Sequence, residues 1–150
     1  MSEERIRRGD VYWADVPYSN RQGHKSRPVV IISNDYTNIS NSDVTIVPVS
    51  AHCKHIHLRT NVLLPLTDCL SSAAVAKCQD VVTISKKFLH EKAGHLSPAD
   101  IERVDIGVAL ALGFVGPDGL KVKSTITRGY KGSALIDAYR MVARDLARCS

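Results

Sequence analysis

The chain has 150 residues, 44% of them apolar, and a mean hydropathy of −0.08, which describes one soluble globule long enough to bury a proper core. The formal net charge of +5 suits an acidic partner such as nucleic acid, but residues 116–150 hold seven basic residues against three acidic ones and so carry +4 of it. Only +1 remains for residues 1–115, so a nucleic-acid site in the body of the protein has to be a local patch.

Met1 to Arg8 is charged and no apolar stretch follows it, so no export signal is expected and the expected compartment is the cytoplasm. The longest apolar run, Val108 to Val115, is too short for a bilayer, and no membrane role is expected. Cys53, Cys69, Cys78 and Cys149 show no Cys-x-x-Cys spacing and read as reduced thiols.

Gly9 to Val16 opens on a turn residue and then mixes β-branched and aromatic residues, which predicts a first strand. Pro17 to Ser26 is a loop by composition, with Arg21, His24, Lys25 and Arg27 crowded into seven positions. Arg27-Pro28 then leads into Val29-Val30-Ile31-Ile32, a run without alternation that predicts a strand buried on both faces and ending near Ser33. Pro28 suits the first position of such a strand, which sets Arg27 at its rim as a permanent cation. Arg27 there either pairs with a carboxylate at the strand end or holds an anionic ligand.

Asn34 to Asn41 reads as a second loop, and Asp43 to Ser50 as a third strand whose Pro48 marks an edge or a bulge. A further β run follows at Asn61 to Leu64, and Ala73 to Cys78 and Val81 to Ile84 read as two short strands around a kink at Gln79-Asp80. Lys86 to His90 fits a single helical turn. Ser97-Pro98-Ala99-Asp100 is a helix start, with Ser97 as cap and Pro98 at the first helical position. Ile101, Val104, Val108, Ala111 and Leu112 then share one face, and Gly113 is the stop.

Five or six short strands followed by one helix predict a mainly β, α+β fold: a small bent barrel over residues 1–115 with the helix packed on it. Residues 116–150 form an extension, with an extended piece from Leu120 to Thr127 and a second amphipathic helix carrying Leu135, Tyr139, Val142 and Leu146.

Two constellations could carry chemistry. Arg27 starts one strand and Ser50 ends the next, so antiparallel pairing can bring a guanidinium and a hydroxyl to one phosphate-sized site. His52-Cys53-Lys54-His55-Ile56-His57 contains zinc-competent ligands, but its spacing matches no closed tetrahedral set, and it reads as a polar segment, not a metal site.

Five segments, Arg8 to Val16, Arg27 to Asp35, Ile46 to Ser50, Thr83 to Leu89 and Gly94 to Ser97 with the helix after it, resemble the successive motifs of the MazF/PemK family of toxin endoribonucleases. The resemblance spans residues 5–115. It implies an SH3-like barrel of the MazF/CcdB type, a homodimer that cuts single-stranded RNA without a metal or other cofactor, and neutralisation by a cognate antitoxin. It implies that Arg27 and Ser50 are the catalytic pair, and that the substrate's own 2′-hydroxyl attacks the adjacent phosphate to leave a 2′,3′-cyclic phosphate and a 5′-hydroxyl. RNA contacts are expected from Arg21, Gln22, His24, Lys25, Lys54 and Gln79, with His24 also a possible proton carrier.

The chain departs from the family pattern in two places. Ser19-Asn20-Arg21-Gln22 has no acid, and Cys78-Gln79-Asp80 stands where members often read Cys-Asp-Gln, with Val82 in place of a common Arg. A non-catalytic alternative is a barrel toxin of the CcdB type that acts on DNA gyrase or another protein by contact; those toxins end in a Trp-Gly-Ile-like tail, whereas this chain ends Ala147-Arg148-Cys149-Ser150.

Overall fold

The computed structural model describes residues 4–18, 22–51, 60–64 and 74–114. The expected extension over 116–150 and the segment His52 to His57 lie outside them. The elements are β1 (Asp10–Pro17), β2 (His24–Ile31), α1 (Asp35–Ser40), β3 (Asp43–Ser50), β4 (Asn61–Leu64), β5 (Ala74–Lys77), β6 (Val82–Ser85), β7 (Leu89–His95) and α2 (Pro98–Ala111). Short 3-10 turns at Cys78–Asp80 and Lys86–Phe88 precede β6 and β7.

The strands pair antiparallel in the order β4-β5-β3-β2-β1-β7, with β6 added on β3. Among the described pairings nothing joins β4 to β7, so the bent sheet is not closed into a full barrel among the described residues, and the expected α+β class, mostly antiparallel sheet with a helix, holds.

The bend originates in β3. One of its edges pairs with β2 through Ile46, Val47 and Pro48. The other pairs with β6 from Asp43 to Ile46 and then with β5 at Val49 and Ser50. Val47 and Pro48 fall between those two partners, and the chain from Ala76 to Val82 bridges them with the 3-10 turn. Pro48 therefore marks a bend in a central strand, not an edge, and its missing N–H falls where the partner changes.

The unalternating run of β2 is buried on both faces as its composition requires. Val29 and Ile31 join Tyr12, Ala14, Val16, Val44, Ile46 and Ile84 in one apolar cluster. Val30 joins Val11, Val47, Val49, Leu64, Ala76, Leu96 and Val104 in the other, which α2 covers.

Three sequence expectations are corrected. Asn34 to Asn41 is not a loop: Asn34 caps α1, its side-chain oxygen accepting from the Thr37 N–H at 2.8 Å, so the Asn and Ser content signals a capped short helix. β7 had no counterpart in the sequence reading, because Leu-His-Glu-Lys-Ala-Gly-His has neither β-branched residues nor strict alternation. Leu112 was placed on the buried helix face and is 53% exposed, since it lies past the last helical residue as the C-cap.

The start of α2 forms as its sequence requires, with the Ser97 hydroxyl accepting from the Asp100 N–H at 3.2 Å. Arg8 ties this helix to the sheet: its backbone N–H donates to Asp35 at 2.6 Å, and its guanidinium donates to the Ile32 carbonyl and the Asp105 carboxylate. Asp10 is buried beside it and accepts from the Arg7 N–H at 2.7 Å, with Lys92 at 3.3 Å and His95 at 2.8 Å.

Close approach of α2 to the 3-10 turn depends on Gly107. A Cβ there would stand 2.7 Å from Cys78 Sγ and 2.9 Å from Val62 Cγ2. Gly107→Ala should lower stability by about 1–3 kcal/mol, read from urea denaturation, because helix and turn must separate. Burial pushes the Cys78 thiol from 9.0 up to about 12. The unfolded thiol ionises near 9.0 while the folded one stays protonated, so this stabilisation is complete below pH 9 and is lost as pH rises towards 12. Burial raises Tyr12 too, which steepens the alkaline loss. The denaturation midpoint should therefore fall between pH 9 and 12, and fall less steeply in Cys78→Ala.

Candidate functional site

β1 and β2 form a hairpin of seven residue pairs, from Val11↔Val30 to Pro17↔His24, closed by the Tyr18 N–H donating to the Gly23 carbonyl at 3.0 Å. The ladder begins earlier than composition suggested. Arg27 is therefore not at the rim of β2 but inside it, opposite Ala14, because β1 supplies backbone partners as far as His24. Pro28 is tolerated there since this part of β2 is paired on the β1 side only.

Alternation along β2 puts Lys25, Arg27 and Val29 on one face. The β2–β3 register runs Ile31↔Ile46, Val30↔Val47, Val29↔Pro48 and ends there, with Arg27 two residues before its last β2 position and Ser50 two residues after its last β3 position. The two expected catalytic residues thus lie near the same end of the β2–β3 pairing, without being paired themselves.

Arg27 is half-buried and its Nε is buried with no hydrogen-bond partner. No carboxylate of the described residues pairs with it. It lines a cleft of about 400 Å³ together with Tyr18, Pro48, Lys77, Asp80 and Val82. Ser50 is not part of that lining. A guanidinium whose buried Nε–H has no acceptor suits an oxyanion, whose charge-assisted hydrogen bond would satisfy it.

The other expected contact residues are spread more widely. His24 belongs to the opposite set of the alternation from Arg27, and its exposed ring stacks on Phe88 with centroids 6.1 Å apart and planes 21° apart. Lys87 Nζ lies 5.3 Å from the same Phe88 ring. His24 does not line the Arg27 cleft, so the geometry gives no support to it as a proton carrier there. Gln22 and Lys25 are exposed. Gln79 is exposed at the 3-10 turn but does not line the cleft either. Arg21 and Lys54 lie outside the described residues.

Sequence reasoning missed Lys77 and Asp80, which flank Gln79 and do line the cleft. They form an ion pair of 3.0 Å across the turn. The available signal was the kink itself: a turn that spans the gap on β3 between β5 and β6 must stand beside Pro48, and its polar residues must point away from Cys78, which is buried under α2. Among the described residues no group of three or more His, Cys, Asp or Glu side chains could hold a metal ion.

Comparison with solved structures agrees with this architecture. An endoribonuclease from a Mycobacterial species, in complex with its cognate antitoxin, is similar at 25% identity over 77% of this chain and 100% of its own, with a TM-score of 0.59. The fold is also shared with the Mycobacterium tuberculosis toxin MazF-mt6, at 20% identity over 69% of this chain and 96% of its own, with a TM-score of 0.59. MazF from Deinococcus radiodurans matches at 17% identity over 74% of this chain and 99% of its own, with a TM-score of 0.64. The sequence profile of the family described as PemK-like, MazF-like toxin of type II toxin-antitoxin system matches residues 7–112. Spanning the β1–β2 hairpin, the Arg27 cleft and α2 alike, that match shows that the chain belongs to the PemK-like, MazF-like toxins of type II toxin–antitoxin systems.

Proposed function

We propose that this chain is a toxin endoribonuclease that cuts single-stranded RNA at short sequences and is neutralised by a cognate antitoxin. The observation that carries the reading is Arg27: a guanidinium with a buried Nε that has no hydrogen-bond partner, lining a cleft in which no described carboxylate pairs with it. Family membership supplies the toxin role, and the similar Mycobacterial endoribonuclease held by its antitoxin supports both the RNA substrate and the protein partner. A homodimer is part of the same reading, and no described helix is long and apolar enough to cross a membrane.

In the proposed chemistry the 2′-oxygen forms a bond to the adjacent phosphorus and the P–O5′ bond breaks. The 2′-hydroxyl proton leaves to water and O5′ takes one up, giving a 2′,3′-cyclic phosphate and a 5′-hydroxyl. Arg27 and Ser50 donate hydrogen bonds to the phosphate oxygens, stabilising the charge that builds in the pentacoordinate transition state. A guanidinium does not give up its proton at neutral pH, so Arg27 acts by charge and position. The nucleophile is internal to the substrate, which makes positioning effective, restricts the reaction to RNA and requires no metal.

The test is incubation of the full chain with a defined single-stranded RNA in EDTA, with the fragment ends mapped. Cleavage with cyclic-phosphate and 5′-hydroxyl ends is expected, reduced about 10²–10³-fold in Arg27→Ala. Equal cleavage by that variant, or cleavage that EDTA stops, would contradict the assignment. Arg27→Met should lose cleavage in the same way while gaining about 1 kcal/mol in stability by urea denaturation, since it removes a buried donor that has no acceptor.

A further inference from the structure

The geometry points to Asp80, held by Lys77, as the group that selects guanine at a nucleotide next to the phosphate bound by Arg27. This inference rests on the endoribonuclease reading and specifies the base that the cleft accepts.

Both residues line the same cleft as Arg27, so a nucleotide whose phosphate meets the guanidinium has its base within that cleft or at its edge. The turn that carries them is fixed at both ends, by β5 pairing to Val49 and Ser50 and by β6 pairing from Val82 onward, and is anchored beneath by buried Cys78. A pair on such a support presents a set geometry to a ligand. Lys77 Nζ lies 3.0 Å from one carboxylate oxygen of Asp80, and the side chains remain 42% and 50% exposed. The pair is accessible to a base.

A carboxylate is acceptor-only, so it binds a base through N–H groups. Single-stranded RNA is read on the Watson–Crick edges of unstacked bases. Guanine alone presents two adjacent donors there, N1–H and the N2 amino group, which match the two oxygens of one carboxylate. It also presents O6 beside N1–H, an acceptor for the remaining N–H donors of the Lys77 ammonium. Adenine and cytosine offer one amino group next to an acceptor that would face carboxylate oxygen, and uracil offers a single N–H between two carbonyls. Lys77 has a further effect: it offsets the negative charge of Asp80, which alone would repel the phosphate that Arg27 attracts.

The experiment measures both cleavage and binding with the full chain. Cleavage of a randomised RNA pool is sequenced for wild type and Asp80→Asn. Binding uses non-cleavable 2′-fluoro RNA pentamers whose central base is guanine, inosine, adenine, cytosine or uracil, followed by fluorescence anisotropy. Inosine keeps O6 and N1–H but lacks the amino group. Wild type should favour guanine over inosine by about tenfold, and Asp80→Asn should remove most of that ratio. Lys77→Met should weaken guanine and inosine alike, because both keep O6. Equal binding of guanine and inosine, a guanine preference that survives Asp80→Asn, or no binding of any pentamer overturns the inference. Cleavage without guanine selection overturns base selection and leaves the nuclease reading standing. Guanine-selective binding without cleavage overturns the nuclease reading and leaves the base selection standing.

Discussion

The change of partners along one edge of β3 is the constraint from which the site follows. A strand that pairs with β6 up to Ile46 and with β5 from Val49 cannot run straight past both, and two residues are left over between them. The fold uses that gap twice. On one face the bridging turn buries Cys78 against Val104 and lets α2 close over the apolar cluster, which only a glycine at 107 permits. On the other face the same turn brings Lys77 and Asp80 beside Pro48 and Arg27. Core and cleft are two sides of one irregularity.

Arg27 shows how stability is given up at such a place. Its neighbours along the strand, Val29 and Ile31, are wholly buried, whereas its own Nε is buried with nothing to accept its proton. A buried donor left unpaired costs on the order of 1–3 kcal/mol, which a folded protein retains where the missing acceptor comes from a ligand. Arg8 makes the contrast, since every direction of its guanidinium and backbone described in the fold ends on a protein oxygen. The two arginines differ in partners, not in chemistry: the groups of one end on protein oxygens, and the buried Nε of the other has none.

Much of this was legible in the sequence, for identifiable reasons. β3 and β4 were readable to the residue, because β-branched runs and turn residues bound them, and the start of α2 because Ser97-Pro98 specifies a cap. The β2–β3 pairing was foreseeable from strand order, since antiparallel neighbours align the start of one with the end of the other. The polar segment at Asn34 was misread because capping residues and loop residues share a composition. The start of β2 was misplaced because polar residues such as His24 and Lys25 enter a strand when a partner already extends alongside, which no local pattern reports. Asp80 escaped notice for a related reason: its place in the cleft comes from a gap on β3, thirty residues earlier in the chain.

An open ladder has a chemical consequence for a chain of this kind. β7 ends the described sheet, so its outer backbone groups offer a template on which another extended chain could add. Its sequence makes that addition unfavourable: His90, Glu91 and Lys92 place charge and a titratable ring in succession along the edge, and Lys92 is held by Glu4 and Asp10. Edge-to-edge aggregation would require those charges to be stacked and desolvated. The polarity that made β7 invisible as a strand thus also guards the edge of the described sheet against growth.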